Sequence, residues 1–323
     1  MSDSVYPIID TLKKLFPVLS LEQTSRRYLE RMMPSIDYYF DIYSHCLDIA
    51  ANAIQIPIEK ATLIDYGGGH GLLGIIAKKL GWHEVVYIDI NPTSAHTVRT
   101  LSETLGHGPD TILTGDSVLL REWLRANHRQ PHALLGMDVI EHIYRLDTFF
   151  NDIIADTSQP LFLLFTTASN PFNAHICSRL RRIMQSDETG TTEQPNYYTL
   201  RHDFIARQRP ELTPDQLHRW VVNTRGLIFD DIQEYLDKDE MPTPTDPFNT
   251  CDPRTGNWTE RILPIKRYQE LLDTHKYQLS VENGWYNTRH NIPKKTCAQL
   301  LNIVNSPRLA PFLILKANYK RFR

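Results

Sequence analysis

Apolar and polar positions follow two rhythms along this chain, and the change between them divides it. Residues 5 to about 56 repeat apolar residues at helical spacing. "SLEQTSRRYLERMM" predicts a helix with Ser20 as its N-cap, Pro34 interrupts, and "SIDYYFDIYSHCLDIAANAI" resumes the helical pattern. Short apolar runs then alternate with amphipathic stretches. "ATLIDY", "EVVYIDI", "DTILTGD", "HALLGMDVI" and "PLFLLFTTA" read as five strands. The segments between them read as helices, two of them closed by Gly81 and Gly106, and the fourth, "RLDTFFNDIIADT", running through residue 157. Strand–helix units of this length predict an α/β fold, a mostly parallel sheet with helices on both faces. Right-handed crossovers put the C-terminal ends of the strands on one edge, where ligands bind in such sheets.

The rhythm stops after Asn170. Residues 171–262 read as helical patches and loops, including the Pro- and Thr-rich "MPTPTDPFNTCDPRTGNW". It then returns: "IKRYQELLDTHKY" predicts a helix, "QLSVENGWYN" a strand, and "APFLILKANYK" a closing strand. The short link between these two strands suits an antiparallel last strand. The expected organisation is therefore a helical cap over 1–58, a first part of the core over 59–170, an insertion over 171–262 that covers the active edge, and the rest of the core over 263–323.

Composition narrows the class. The 323 residues are 41% hydrophobic and 23% charged, with a net charge of −3. No apolar run approaches the ~20 residues of a membrane span, and the first residues lack a signal-peptide pattern. Cys46, Cys177, Cys251 and Cys297 are scattered, which argues against a zinc site or a disulfide frame. A cytoplasmic enzyme is expected, with no membrane partner, no nucleic-acid partner and no defined oligomeric state.

The chemistry centres on "LIDYGGGHGLLG". Glycines after a strand let the backbone turn sharply and approach a ligand. From Gly69 the stretch spells G-x-G-x-x-G, the dinucleotide fingerprint, so a nicotinamide oxidoreductase is one option. Asp65 speaks for another: a carboxylate there repels a pyrophosphate but suits a cofactor with ammonium and sulfonium charges. Acids also end the next three strands, Asp89 in "YIDINP", Asp116 in "LTGDSV" and Asp138 in "GMDVIEHI".

Together "LIDYGGGHG", "VVYIDINP", "ILTGDS", "LLGMDVIEHI" and "LFLLFTTASNP" resemble the class I S-adenosylmethionine (SAM)-dependent methyltransferases, over about residues 60–170 and 263–320. The resemblance implies a seven-strand sheet with its last strand antiparallel, and SAM as cofactor. Carried over, Asp65, Gly67, Gly69 and Gly71 would form the loop at the methionine side. Asp89 would hold the ribose, Asp116 and the Ser117 backbone the adenine, and Asp138 would lie beside the methionine end.

The acceptor is less determined. Glu141 and His142 follow the fourth strand and His175 the fifth, so all three are candidates for handling the acceptor's proton. The E-H pair is also similar to the E-x-x-E-H motif of small-RNA 2′-O-methyltransferases, whose acids and histidine bind a divalent metal. His202 in "LRHDF" would be a further ligand. Asp138 stands where that motif has its first Glu, Ala168-Ser169 disturbs its T-P-N segment, and the second histidine is missing. No metal is assigned on the sequence.

Between Phe172 and Gly226 every basic residue is arginine: Arg179, Arg181, Arg182, Arg201, Arg207, Arg209, Arg219 and Arg225. Arginine forks capture carboxylates and phosphates, which would suit an anionic substrate. Solvated helix faces paired with Asp187, Asp203 and Asp215 explain the same pattern. Tyr197, Tyr198, Trp220, and Trp285, Tyr286 and Asn287 are candidate pocket walls. The expectation is a methyltransferase acting on a small molecule, with O-methylation preferred to N-methylation. The alternatives are a metal-dependent RNA 2′-O-methyltransferase and a noncatalytic SAM-binding subunit.

Overall fold

The computed structural model describes residues 6–154, 159–190, 196–244, 246–289 and 293–320. Three helices come first: α1 (Tyr6–Leu15), α2 (Gln23–Met32) and α3 (Ile36–Ala53). The cap of α2 is Glu22, whose carboxylate accepts the Thr24 N–H, and not the expected Ser20. Both sit in one loop, but the glutamate is adjacent to the first helical residue.

The alternating region forms β1 (Thr62–Tyr66), α4 (Leu72–Lys79), β2 (Glu84–Asp89), α5 (Pro92–Leu105), β3 (Thr111–Thr114), α6 (Ser117–Ala126), β4 (Ala133–Gly136), α7 (Leu146–Ile154) and β5 (Phe162–Thr167). Gly81 and Gly106 follow α4 and α5 with φ of 96° and 70°, backbone that glycine adopts without penalty. The predicted end of α7 at 155–157 lies outside the described residues.

Four further helices follow: α8 (Ala174–Thr189), α9 (Tyr197–Gln208), α10 (Pro214–Asn223) and α11 (Phe229–Lys238). After them comes an unpredicted antiparallel ribbon, β6 (Thr250–Cys251) with β7 (Trp258–Glu260). Its turn, Asp252-Pro253-Arg254-Thr255-Gly256, carries ordinary hairpin residues between short β-favouring runs. The ribbon is so short that Pro and Thr composition masks it. Last come α12 (Ile265–Asp273), β8 (Tyr277–Asn283), α13 (Lys294–Val304) and β9 (Leu313–Tyr319). The link between the last two strands thus contains a helix that the sequence reading left as connection.

The sheet has seven strands in the order β3-β2-β1-β4-β5-β9-β8, and β9 runs antiparallel to both neighbours. β1, between β2 and β4, is buried along its whole length. Alternate residues feed two cores. Leu63, Val85, Leu135 and Leu164 face α3 and α4, while Ile64, Val86, Leu134 and Leu163 face α7 and α12. Each such side chain contributes roughly 1.5–3 kcal/mol by burial. Because the register is period two, this double core fixes which residues reach the strand ends.

Helices α9–α11 have a smaller core of their own, built on Ile205, Trp220, Val221, Ile232 and Leu236. A buried ion pair anchors it. Arg201 is fully buried and its guanidinium grips the Glu188 carboxylate, which also accepts the Thr250 hydroxyl at 2.7 Å. Among the described residues no helix is long and apolar enough to cross a membrane.

Candidate active site

Residues 67–71 turn from β1 into α4 with φ of 62°, 53° and 71° at Gly67, Gly69 and Gly71. At Gly67 the demand is steric as well, since a Cβ would stand 2.3 Å from Val139 Cγ2. At Gly69 a Cβ would meet nothing within 4 Å, so the loop faces open space there. The loop is tied to β2 by two bonds to the Ile88 carbonyl, from Gly67 N–H at 2.8 Å and Gly68 N–H at 3.3 Å.

Asp65 lies under this loop, fully buried. Its Oδ2 accepts the Gly74 N–H at 3.0 Å, and its Oδ1 has no partner. Burial pushes its carboxyl up to about 7; the Gly74 bond works against this and the Asp89 charge adds to it. Asp89, at the end of β2, accepts the N–H of Gly69 at 2.9 Å on Oδ2 and of Asn91 at 2.8 Å on Oδ1. Asp116 is exposed at the start of α6, and its Oδ1 accepts the N–H groups of Val118 and Leu119. It is therefore a helix cap with one carboxylate oxygen to spare. The Ser117 hydroxyl turns inward to donate to Asp152 Oδ2 at 2.8 Å. Ile90, Val118 and Leu119 flank these acids with exposed apolar surface.

Asp138 follows β4 in the left-handed region, φ 48°. Thr166 of β5 holds it: its Oγ1 accepts the Asp138 N–H and donates to Oδ1, each at 3.0 Å. Solvent reaches Asp138, but surrounding walls strip away enough water to raise its pKa, with the Thr166 bond opposing. Those walls include the N-terminal helices. Burial, then the Asp138 charge, raises the phenols of Tyr28 and Tyr39. Tyr28 also stacks on His70 of the glycine loop, centroids 4.5 Å apart, and burial lowers His70 to about 4. Sequence reading left these tyrosines out because nothing local ties α2 and α3 to the sheet edge.

Beyond Asp138, the structure brings a residue that was not anticipated, Glu260, to the expected Glu141–His142 pair. One ligand-type atom from each of Glu141, His142 and Glu260 lies within 4.8 Å of the others. Glu141 is buried; its Oε1 accepts the Ala168 N–H at 3.0 Å and its Oε2 has no partner. Burial, then the charges of Asp138 and Glu260, hold its carboxyl well above the usual range. His142 Nδ1 lies 2.8 Å from the Trp258 carbonyl, which fixes that nitrogen as the donor and leaves Nε2 with its lone pair. Glu260 Oε2 accepts the Ser169 hydroxyl at 2.8 Å.

The other candidates lie elsewhere. His175 is exposed on the first turn of α8, with its backbone N–H taken by the Asn173 cap. His202 is exposed on α9, 3.1 Å from Asp203, outside the three-residue group. Trp220 is core, and the Tyr198 hydroxyl meets His218. Trp285, Tyr286 and Asn287 follow β8. The Trp285 carbonyl accepts the Tyr38 hydroxyl, so this segment backs the N-terminal helices.

Several arginines have internal partners. Arg201 holds Glu188, Arg225 reaches Gln185 and the Phe248 carbonyl, Arg209 holds Glu211 and Asp239, and Arg181 lies over the Phe248 ring. A cavity of about 950 Å³ opens beside α11 and α12, lined by Tyr144, Asp231 and Arg261 among others, and shares no residue with the glycine loop or the strand-end acids.

No family model matches the chain, and no curated protein does. Solved structures similar to it include a SAM dependent methyltransferase from Archaeoglobus fulgidus, 10% identical over 86% of this chain and 92% of that one, TM-score 0.42. Another is an S-adenosylmethionine dependent methyltransferase from Mesorhizobium loti, 12% identical over 81% and 93%, TM-score 0.41. Likeness this distant sets no residue roles.

Proposed function

We propose that the chain is a SAM-dependent methyltransferase acting on a small-molecule acceptor, with oxygen favoured over nitrogen as the nucleophile. The observation that carries the reading is the loop at 67–71. Three glycines of positive φ lie over a buried carboxylate with one unpartnered oxygen, and Gly69 is bonded to Asp89 beside open space. These residues fit a nucleoside cofactor with a cationic end.

When bound, that cofactor supplies an electrophilic methyl group on a sulfonium. The Asp89 oxygens each keep a lone pair beyond their backbone bonds and would accept from ribose hydroxyls. Asp116, the Ser117 backbone and the apolar surfaces of Ile90, Val118 and Leu119 would flank the adenine. Asp65 would stabilise the cationic end from beneath the loop. Asp138 would border the methionine side, and Tyr28, Tyr38 and Tyr39 would wall the acceptor and exclude water. Residues 1–58 and 171–262 together would cover the acceptor. Oxygen is favoured because Glu141 and His142 stand beside Asp138, where an acceptor hydroxyl must shed its proton. His175 takes no part in this arrangement. With several arginines committed internally, an anionic acceptor rests on the remainder of the set.

Calorimetric titration with S-adenosylhomocysteine tests the cofactor. Asp89→Ala and Gly69→Arg are expected to weaken binding at least about tenfold, a loss of ~1.4 kcal/mol. At Gly69 an added Cβ meets nothing within 4 Å, but a φ of 53° strains any side chain, so a thermal melt of Gly69→Arg accompanies its titration. Unchanged affinity in both would sink the proposal, and NAD binding in place of S-adenosylhomocysteine would replace it with the oxidoreductase reading.

A further inference from the structure

We infer that Glu141, His142 and Glu260 form a binding site for one divalent first-row transition metal ion. One ligand-type atom of each of the three side chains lies within 4.8 Å of the others, and each side chain also has a polar atom bonded within the protein. Glu141 Oε1 is held by the Ala168 N–H, His142 Nδ1 by the Trp258 carbonyl, and Glu260 Oε2 by the Ser169 hydroxyl. A histidine that donates one ring N–H to a carbonyl keeps the lone pair of its other nitrogen, the usual state of a histidine metal ligand.

The independent observation is Glu141 Oε2. The residue belongs to the group and is 1% exposed, and this oxygen has no hydrogen-bond partner. Buried carboxylate oxygens are ordinarily paired. Asp138 adds a third carboxylate nearby, and among the described residues neither Glu141 nor Glu260 has a Lys or Arg within ion-pair distance. Arg261, the cation adjacent in sequence, lies over the Trp258 ring and donates to the Tyr144 carbonyl. A cation would satisfy the orphan oxygen and the mutual repulsion together. Two carboxylates and one imidazole suit manganese or zinc better than magnesium, which prefers oxygen ligands and water.

Three protein ligands leave coordination positions open. On the methyl-transfer reading, on which this use of the ion rests, an acceptor hydroxyl fills one of them. Its O–H bond would break with the proton passing to water, since Glu141 and His142 as ligands would act through the ion and not as bases. The oxygen's electron pair then forms the new O–C bond as the S–C bond of the sulfonium breaks, leaving its pair on sulfur.

The binding claim is tested without the cofactor. Full-length protein is stripped with chelator and titrated with MnCl2, free Mn2+ being read by electron paramagnetic resonance, and in parallel with ZnCl2 by calorimetry. One site per chain is expected. Glu260→Gln and His142→Ala should each weaken it at least tenfold, and Ser169→Ala, which frees Glu260 Oε2, by a smaller factor. His202→Ala should leave it unchanged, and all four should bind S-adenosylhomocysteine within about twofold of wild type, which also shows that they fold. If wild type binds neither ion, or binds one equally well after Glu260→Gln, the inference is overturned. Loss of S-adenosylhomocysteine binding in wild type with Mn2+ binding intact would instead overturn the methyl-transfer reading alone.

Discussion

The edge over β1 and β2 and the edge over β4 and β5 lie side by side in one sheet, yet their polar groups arrive by different routes. In the first, the decisive contact joins Gly69 to Asp89, 20 residues apart, within one strand–helix–strand unit. In the second, His142 meets the Trp258 carbonyl across 116 residues and Ser169 meets Glu260 across 91. The first edge is specified by local turn chemistry and a parallel register. The second depends on the segment between β5 and α12 docking its ribbon against the loop after β4. Gly256 packs on the Tyr144 ring and Trp258 stacks on it at 5.7 Å to make that fit.

The strongest way to break this contrast is to loosen the α9–α11 helices alone. Arg201→Met removes the guanidinium from buried Glu188, which keeps the Thr250 hydroxyl and Arg225 at 3.9 Å, so a cost of about 3 kcal/mol is expected, the low end for a broken buried pair. Hydrogen exchange should then show α9–α11 and the β6–β7 ribbon opening while S-adenosylhomocysteine affinity stays within about twofold. Parallel loss of both would mean that the two edges are one cooperative unit.

Gly67→Ala probes the seam between them. The added Cβ would collide with Val139, and φ is already positive, so overpacking of roughly 1–3 kcal/mol and a matching fall in cofactor affinity are expected. Thermal melts and calorimetry on the same preparation check both.

Titration sharpens the comparison on the glycine side. His70 is depressed to about 4 from 6.5, so its contribution is present above pH 6.5 and is lost as pH falls toward 4. Asp65 is raised to about 7 from 3.8, so its contribution is present below pH 3.8 and is lost as pH rises toward 7. The two oppose each other between pH 4 and 6.5. The stability of wild type minus that of Asp65→Asn should therefore fall from pH 4 to 7, and wild type minus His70→Asn should rise from pH 4 to 6.5. Denaturant titrations at stepped pH read both differences. The smallest effect is expected at His175→Ala, within about 0.5 kcal/mol in stability for an exposed position and with methyl-donor turnover unchanged. A large fall in turnover there would restore it as a base.

Legibility followed the same division. The strands, the glycine turn and the strand-end position of Asp89 could be read from periodicity and turn residues, which act over a few positions, while the antiparallel last strand was expected from the link length and the resemblance. Glu260 could not, because nothing in "NWTERI" announces what it meets; only the docking of the ribbon does. The tyrosines of α2 and α3 were missed for the same reason. Asp116 illustrates the reverse: its position was legible, but its hydrogen bonds are those of a helix cap, and sequence alone does not separate a cap from a ligand.

The backbone of Asp138 limits what a geneticist can do with it. At φ 48° most side chains are strained, and glycine, asparagine and aspartate are the residues that settle there. Glycine would remove the bond from the Thr166 hydroxyl along with the charge. Asparagine keeps the backbone and an oxygen for that hydroxyl while dropping the charge alone. Asp138→Asn is thus the substitution that separates what this residue's charge does from what its shape does, and a saturation screen at 138 would report mostly on strain.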